Sequence, residues 1–276
     1  MTKNQKLLKE LYGITPKDFK SLIPNDLVHL VSEMHIVKRY VSPGYIPEGL
    51  IKDNLYMHLE RLIILATEIY IPPMDGDTLT RTLWVHDVGE MGKANDVINV
   101  EKSDKPNRRV NEKMSEEVVA KGMLSEEDYK LLLQFRQVSD SFEKEVPVNV
   151  SKEFVVAKVL DFIENPIDFF YWYTKWIRKG NVYDGITPPK VLFTYTLLQT
   201  KKVWSSINGS DSISEEIKVY CLSLLCLQID GILRLWDEVP ENQIPRPMAD
   251  ELKQMSHFLM EHDKRILTRG FLFSTH

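Results

Sequence analysis

The stretch NLYMHLERLIILATEIY, residues 54–70, is the part of the chain that most directly indicates the fold. Its large apolar residues recur three and four positions apart, which places them on one face of an α-helix. These residues are Leu55, Leu59, Leu62, Leu65, Ala66 and Ile69. Alternation typical of strands is scarce and short elsewhere in the chain. The pattern therefore predicts an all-α protein.

Helical spacing continues on both sides of this stretch. Asn25 is a plausible cap for one helix, and Thr78 can begin the helix that carries LTRTLWVHDVGEM. Ser115 and Ser125 are each followed by Glu-Glu, which is typical of helix starts. Residues 92–114 are polar, so we expect a surface loop beside a site there. Further helices are predicted at 151–165, 189–206, 214–236 and 246–268.

The composition is that of an ordinary globular protein, with 43% hydrophobic and 27% charged residues among 276. The net charge of −5 argues against a mainly electrostatic nucleic-acid binder, but a local positive pocket for a small phosphorylated substrate is compatible with it. Cys221 and Cys226 lie in one apolar run without a CxxC motif, which favours buried free thiols in a reducing compartment. Polar residues interrupt the apolar run at 219–236, and the first residues do not resemble a signal peptide. We therefore expect a cytoplasmic protein that does not cross a membrane.

Three predicted helices carry polar residues among core positions. His58 lies in LYMHLERL, His86 and Asp87 lie in LWVHDVGE, and Asp161 lies in AKVLDFIE. Imidazole and carboxylate groups together suit a first-row divalent metal, and converging helices can hold them rigidly. Each residue alone has a structural explanation, since a helical histidine is more often structural than a ligand and a helical aspartate can face solvent. The ordered pattern H…HD…D on three helices is what favours a metal site.

This ordered pattern resembles that of the HD-domain metal-dependent phosphohydrolases, and the resemblance covers residues 28–165. It implies an all-α, HD-domain helical bundle that binds one divalent metal ion, with Mn, Co, Ni, Mg, Zn and Fe all open. The implied metal ligands are His58, His86, Asp87 and Asp161. The predicted organisation is a helical lead-in at 1–27, the core at 28–165, and a helical extension at 166–276 that packs on the core or forms an oligomer interface. A single continuous helical domain is the alternative.

A narrower resemblance points to the branch similar to 5′-deoxynucleotidases, in which the pair extends to HDxxE. Glu90 supplies the glutamate in HDVGE, and Asp96 in KANDV follows with one more residue of spacing and asparagine in place of glycine. Arg39-Tyr40 stands where that branch has an arginine-tryptophan pair, with a longer intervening loop. Lys93 lies between the two acidic residues and is a further candidate for a phosphate contact.

The chemistry of these residues agrees with the roles that the resemblance implies. Glu90 follows Asp87 by three positions, so on a helix the two share a face, and Glu90 can orient or deprotonate the attacking water. Asp96 can protonate the leaving alkoxide. Arg39 can bind phosphate by a two-pronged contact, while Tyr40 can pack on a sugar or base. Solvated surface charge is the alternative for Glu90 and Arg39.

The sequence thus predicts an enzyme, a metal-dependent phosphohydrolase that cleaves a nucleotide phosphoester, with a (deoxy)nucleoside 5′-monophosphate as the first choice of substrate. Nucleic acid and membrane are not expected partners, and a homodimer is left open. Two alternatives remain at this point. One is an HD-type hydrolase of cyclic nucleotides, dinucleotides or nucleoside triphosphates. The other is a non-catalytic module that binds a nucleotide or a partner.

Overall fold

The computed structural model describes residues 3–12, 18–37, 39, 53–92, 106–164, 188–236, 246–262 and 272. Within these ranges the chain forms ten α-helices and short 3-10 segments, and it forms no strand. The predicted all-α class is confirmed. The helices are α1 (Lys3–Tyr12), α2 (Val28–Glu33), α3 (Leu55–Glu68), α4 (Gly76–Val85), α5 (Pro106–Met123), α6 (Glu126–Lys144), α7 (152–164), α8 (Pro188–Asn208), α9 (Glu215–Trp236) and α10 (Arg246–His262). The 3-10 segments are Phe19–Leu22, Asn25–Leu27, Met34–Ile36 and Val88–Gly92.

The central helix α3 has a side-chain cap at its start. Asn54 has an extended backbone, and its side chain accepts a hydrogen bond of 2.9 Å from the backbone N–H of Met57. This contact satisfies one of the N–H groups that a helix start leaves without an intrahelical partner. Leu62 and Leu65 are fully buried, as the apolar spacing predicts. The helix predicted at 54–70 is therefore confirmed.

Helix α4 differs from its prediction at both ends. It begins at Gly76, because Asp75 is the cap and accepts hydrogen bonds from two backbone N–H groups and from the Thr78 hydroxyl. Thr78 is thus a partner of the cap, and its prediction as the start was wrong. The helix ends at Val85, so the His-Asp pair lies in a turn that leads into the 3-10 segment. Glycine at position 89 is a poor helix former, which is consistent with this early end.

The polar region before α6 is more helical than predicted. Helix α5 begins at Pro106 and runs through Ser115, so the loop prediction is wrong from residue 106 onward and Ser115 begins no helix. Proline suits a first helical position because its missing N–H is not needed there. Ser125 is a cap as predicted, and its hydroxyl accepts a hydrogen bond of 3.1 Å from the backbone N–H of Asp128.

The C-terminal helices share a core with the rest of the protein. One hydrophobic cluster contains residues from α1, α3, α7, α9 and α10. Polar contacts cross the same boundary: the Ser210 hydroxyl donates to the Val148 carbonyl at 2.6 Å, and the buried Gln228 amide donates to the Phe162 carbonyl at 2.9 Å. The described part of the extension therefore packs on the predicted core. The boundary predicted between residues 165 and 166 lies at the edge of the described residues and stays a prediction.

Helix α9 is the most apolar of these C-terminal helices. Cys221 and Cys226 are buried in it as free thiols, as predicted, and burial raises the pKa of both to about 12. None of the helices that the structure describes has the length and apolar character needed to cross a membrane.

Candidate metal centre

The four side chains predicted as metal ligands meet where α3, the end of α4 and α7 converge. His58 Nε2 lies 3.2 Å from His86 Nε2. Asp87 Oδ2 lies 3.5 Å from the first nitrogen and 3.2 Å from the second. Asp161 Oδ1 lies 3.3 Å and 3.5 Å from the same two atoms. Within the described part of the chain, His58, His86 and Asp87 form a group that could hold a metal ion, and Asp161 contacts both of its imidazoles.

The end of α4 explains how two neighbouring residues reach one point. Side chains of adjacent residues in an α-helix diverge by about 100°. His86 follows the last residue of α4 and keeps helical backbone angles, and Asp87 is the next residue of the same turn. The turn brings the Asp87 carboxylate to the imidazole of its neighbour. The Asp87 side chain keeps 22% of its surface exposed, against 1% for the His86 side chain, so the centre is accessible from its side.

Each histidine has its Nδ1 atom occupied by an acceptor. His86 Nδ1 lies 2.8 Å from the Leu83 carbonyl oxygen, which can only accept, so this nitrogen carries a proton. His58 Nδ1 lies 2.5 Å from Glu164 Oε2. Burial raises the pKa of Glu164, but the neighbouring Arg61 and His58 outweigh burial and lower it, so this carboxylate also acts as an acceptor. Nε2 is therefore the nitrogen that each histidine directs toward the centre.

This set of donor atoms requires a positive charge between them. Two imidazole lone pairs 3.2 Å apart, flanked by two carboxylates, repel one another unless a proton or a metal ion lies among them. Burial lowers the pKa of His86, yet Asp87 and Asp161 outweigh burial and raise it to about 10. The pKa values of Asp87 and Asp161 are held far below their usual range; burial opposes this, and the charges of His86 and Lys158 are among its causes.

A small divalent ion fits the same spacing. Four donors about 2.0–2.1 Å from one ion, at tetrahedral angles, lie about 3.3–3.4 Å from each other. The observed contacts between nitrogen and carboxylate oxygen atoms are 3.2–3.5 Å. Imidazole nitrogen and carboxylate oxygen are also the ligand types that zinc, manganese, iron and cobalt accept. His58, His86 and Asp87 therefore fit a metal ion in both chemistry and spacing, and Asp161 lies at the same spacing from both imidazoles.

Glu90 and Arg39, the predicted catalytic and phosphate-binding residues within the described part of the chain, lie in surroundings that differ from the prediction. Glu90 is half-buried in the 3-10 segment, and its backbone N–H donates to the Asp87 carbonyl at 2.9 Å. A 3-10 turn also aligns residues three positions apart, so Glu90 and Asp87 lie on one side of the turn without the predicted α-helix.

Arg39 is buried, with Nη1 3.6 Å from Asp53 Oδ2 and 3.9 Å from Glu164 Oε2. It is thus a neighbour of two buried carboxylates, and its contact with phosphate stays a prediction. Tyr40, Lys93 and Asp96 lie outside the described residues.

Three charged residues that the sequence did not single out surround the proposed ligands: Glu164 and Lys158 contact a ligand directly, and Arg61 contacts Glu164. Glu164 follows Asp161 by three positions and Arg61 follows His58 by three, so each shares a helix face with a ligand. Lys158 precedes Asp161 by three, and its Nζ lies 2.7 Å from Asp161 Oδ2. The spacing of three marks them as neighbours of the proposed ligands on a helix, whereas their contacts between helices appear only in the folded chain.

Comparison of the chain with family models, with curated proteins and with solved structures finds no match in any of the three.

Proposed function

We propose that this protein is an HD-type, metal-dependent phosphohydrolase whose substrate is a nucleotide, first of all a (deoxy)nucleoside 5′-monophosphate. The observation that supports it is the convergence of two imidazole nitrogens, 3.2 Å apart, and two carboxylate oxygens, each of which lies 3.2–3.5 Å from both nitrogens. Their order along the chain, with Glu90 after the His-Asp pair, is the pattern on which the family resemblance rests.

The proposed division of roles follows from the position of each residue. His58, His86, Asp87 and Asp161 would hold the ion. A bound divalent ion lowers the pKa of water and neutralises phosphate charge. Glu90 would accept the proton of the attacking water, since it is half-buried and three residues from Asp87.

Two further side chains have proposed roles, Lys158 within the described part of the chain and Asp96 outside it. Lys158 keeps 25% of its side chain exposed and fixes the outer oxygen of Asp161, so that the inner oxygen faces the imidazoles. Asp96 would protonate the leaving alkoxide of the sugar, as the family resemblance implies.

The direct test is release of phosphate by the metal-loaded protein. The purified full chain is stripped with a chelator, resupplied with Mn²⁺ or Co²⁺, and incubated with a panel of ribo- and deoxyribonucleoside monophosphates. We expect inorganic phosphate to be released only after metal is restored. Asp161→Asn, which removes one anionic donor at nearly constant shape, should abolish both metal binding and release. Asp250→Asn, at an exposed position of α10, is the matched control and should leave both unchanged.

The products distinguish the alternatives. Pyrophosphate, triphosphate or a linear nucleotide would identify a different substrate for the same kind of centre. Tight nucleotide binding in a calorimeter with metal bound and no turnover would favour the binding module. Bound metal without hydrolysis of any member of a broad phosphoester panel would contradict a phosphohydrolase.

A further inference from the structure

We infer that Glu164, Arg61 and Asp53 form a buried relay that positions His58 for metal binding, and that Asn4 of the N-terminal helix forms its outer end. The inference rests on the proposed metal centre and assigns roles to four residues outside the predicted ligand set. We refer to Glu164, Arg61, Asp53 and Asn4 together as the relay.

The relay begins at the histidine ligand. Glu164 Oε2 lies 2.5 Å from His58 Nδ1, and the other oxygen of Glu164 accepts a hydrogen bond from Arg61 Nε. A carboxylate on the outer nitrogen of a ligand histidine fixes the ring orientation, keeps the proton on that nitrogen and makes the inner nitrogen a better donor to a metal. Glu164 is therefore a positioning residue that acts through His58.

The second step holds the carboxylate itself. Arg61 directs Nε to Glu164, while Nη1 and Nη2 donate to the two oxygens of Asp53 at 3.0 Å and 2.9 Å. The side chains of Arg61 and Asp53 are each 1% exposed, and that of Glu164 is 4% exposed. The planar guanidinium thus fixes the two carboxylates relative to each other. Arg39 lies within 4 Å of both carboxylates, so two guanidinium groups face two carboxylates.

The burial of this network argues for a positioning role. Withdrawing the charges of Glu164, Arg61 and Asp53 from water is costly, and apolar residues of similar size often stabilise a protein as well or better. The charged side chains of the relay are nevertheless almost fully buried, whereas the Asp87 side chain at the metal centre is 22% exposed. One carboxylate of the network contacts a proposed ligand directly, which gives the network a use that apolar packing cannot supply.

The third step reaches the N-terminal helix. The Asn4 side-chain oxygen accepts a hydrogen bond of 3.1 Å from Arg61 Nη1, and its amide donates to the Met57 carbonyl at 3.1 Å and to Glu60. Asn4 is 2% exposed. Helix α1 was predicted as a lead-in outside the catalytic core, yet it supplies a contact two side chains away from His58. The support of the proposed metal centre therefore extends beyond the region of family resemblance.

The decisive variant is Glu164→Gln. Both partners of Glu164 are hydrogen-bond donors, and an amide has one accepting oxygen, so the variant cannot satisfy His58 and Arg61 together. We expect Co²⁺ affinity of the full chain to fall about 10- to 100-fold, as measured by competition with a chelator. The matched control is Glu153→Gln on the same helix. Glu153 is also a buried carboxylate, but it accepts from the Asp75 backbone N–H, away from the centre. The Co²⁺ affinity of the Glu153→Gln variant should stay within twofold of that of the wild type.

A measurement on the wild type covers the case in which Glu164→Gln does not fold. In protein labelled with ¹⁵N-histidine and loaded with Zn²⁺, His58 should show a protonated Nδ1 with a downfield proton resonance that is protected from exchange, assigned by its contacts to Glu164. The His86 Nδ1 proton, bonded to the Leu83 carbonyl, is the internal reference. A metal-loaded protein in which His58 carries no proton on Nδ1 overturns the relay.

The outcomes separate the relay from the metal centre. A wild type that binds no Co²⁺, Mn²⁺ or Zn²⁺ overturns the proposed metal centre and the relay with it. A wild type that binds metal, together with a folded Glu164→Gln of equal affinity, overturns the relay alone. A loss of affinity in Glu164→Gln with none in Glu153→Gln supports it, because a loss of stability common to both variants would not produce that difference.

Discussion

At the scale of single residues, the two histidines are oriented by different kinds of acceptor. His86 donates to the neutral Leu83 carbonyl, while His58 contacts the Glu164 carboxylate. A carboxylate raises the basicity of an imidazole more than a carbonyl does, since its full charge stabilises positive charge on the ring. The Glu164 contact therefore makes His58 Nε2 a better donor than a neutral carbonyl partner would. The environment of His58 makes it the residue at which changes outside the ligand set should have most effect.

The residue that separates catalysis from metal binding is Glu90. If it accepts the proton of the attacking water, Glu90→Gln should retain metal and lower kcat about 10²- to 10⁴-fold, the usual range for loss of a general base. Metal content by mass spectrometry and phosphate release would be measured on the same sample. Glu117→Gln, at an exposed pair with Lys121, is the control and should keep wild-type kcat. Full activity in Glu90→Gln would rule out the assigned role.

At the scale of elements, the turn after α4 depends on close packing by α5. A Cβ at Gly89 would lie 2.6 Å from Arg136 Nη2, 2.9 Å from Glu116 Cβ and 3.0 Å from the Glu116 carbonyl oxygen. The arginine tip can move, but the Glu116 backbone belongs to a helix and cannot move alone. The absence of a side chain at Gly89 therefore determines how closely α5 approaches the segment that carries Asp87 and Glu90.

Gly89→Ala should be destabilising for that reason. We expect a loss of about 1–3 kcal/mol in the free energy of unfolding, the usual cost of overpacking, and a lower kcat because the same segment carries Glu90. Denaturant unfolding gives the first quantity and phosphate release the second. Gly122→Ala in α5 is the control: a Cβ there meets nothing within 4 Å, so we expect a gain of about 0.5–1 kcal/mol. Equal stability of Gly89→Ala and the wild type would contradict the packing argument.

A second link between elements joins α4 to α6 and to the 3-10 segment Asn25–Leu27. Arg81 Nε lies 2.6 Å from Asp128 Oδ1, and Arg81 Nη2 lies 2.6 Å from Asp26 Oδ2. Hydrogen bonding to Arg81 lowers the pKa of both aspartates, against a smaller opposing effect of burial. Because the folded pKa lies below the unfolded value of about 3.9, the stabilisation is complete well above pH 4 and is lost as the pH falls toward the folded pKa.

Asp128→Asn tests this pH dependence. At pH 7 the variant should be less stable by about 1–3 kcal/mol, since a mostly buried charged hydrogen bond is removed. The difference from the wild type should shrink steadily below pH 4, as measured by denaturant midpoints between pH 2.5 and pH 7. Glu126→Gln, in an exposed pair with Lys130, should change stability little at any of these values. A difference that is independent of pH would mean that the ion pair is not its cause.

At the scale of the whole molecule, one hydrophobic core joins the N-terminal helix, the proposed metal centre and the C-terminal helices. The link between Gln228 and the Phe162 carbonyl lies one residue from Asp161, so α9 supports the helix that carries this ligand. Metal binding at the centre should therefore stabilise the described helices together.

This coupling predicts a shift in thermal unfolding. Free Co²⁺ at about 100 times its Kd should add about 2.7 kcal/mol to the free energy of unfolding, because the ion binds the folded state alone. Scanning calorimetry should show one main transition that moves upward with Co²⁺ concentration. Asp161→Asn should show no such shift at the same concentrations. Two separate transitions, only one of which responds to Co²⁺, would contradict the shared core.

The sequence by itself determined the helices whose signal is local. The apolar spacing of α3, the Ser125 cap, and the order of His58, the His-Asp pair and Asp161 are all features of short stretches. Sequence patterns gave wrong helix ends where contacts with another helix determine the end. The end of α4 at Val85 coincides with the close approach of α5 to Gly89, and α5 itself runs through a serine whose local signal suggests a start.

Only the tertiary structure decided which charges are buried and paired. Glu164 contacts His58 across 106 positions of sequence, and Arg61 contacts Glu164 across 103. A glutamate on a helix is exposed by default, because burial of its charge is costly without a partner. The partner exists only once α3 and α7 pack with these faces together, and no pattern within either helix specifies that packing. The sequence therefore identified the proposed ligands, whereas the residues that hold them became visible only in the folded chain.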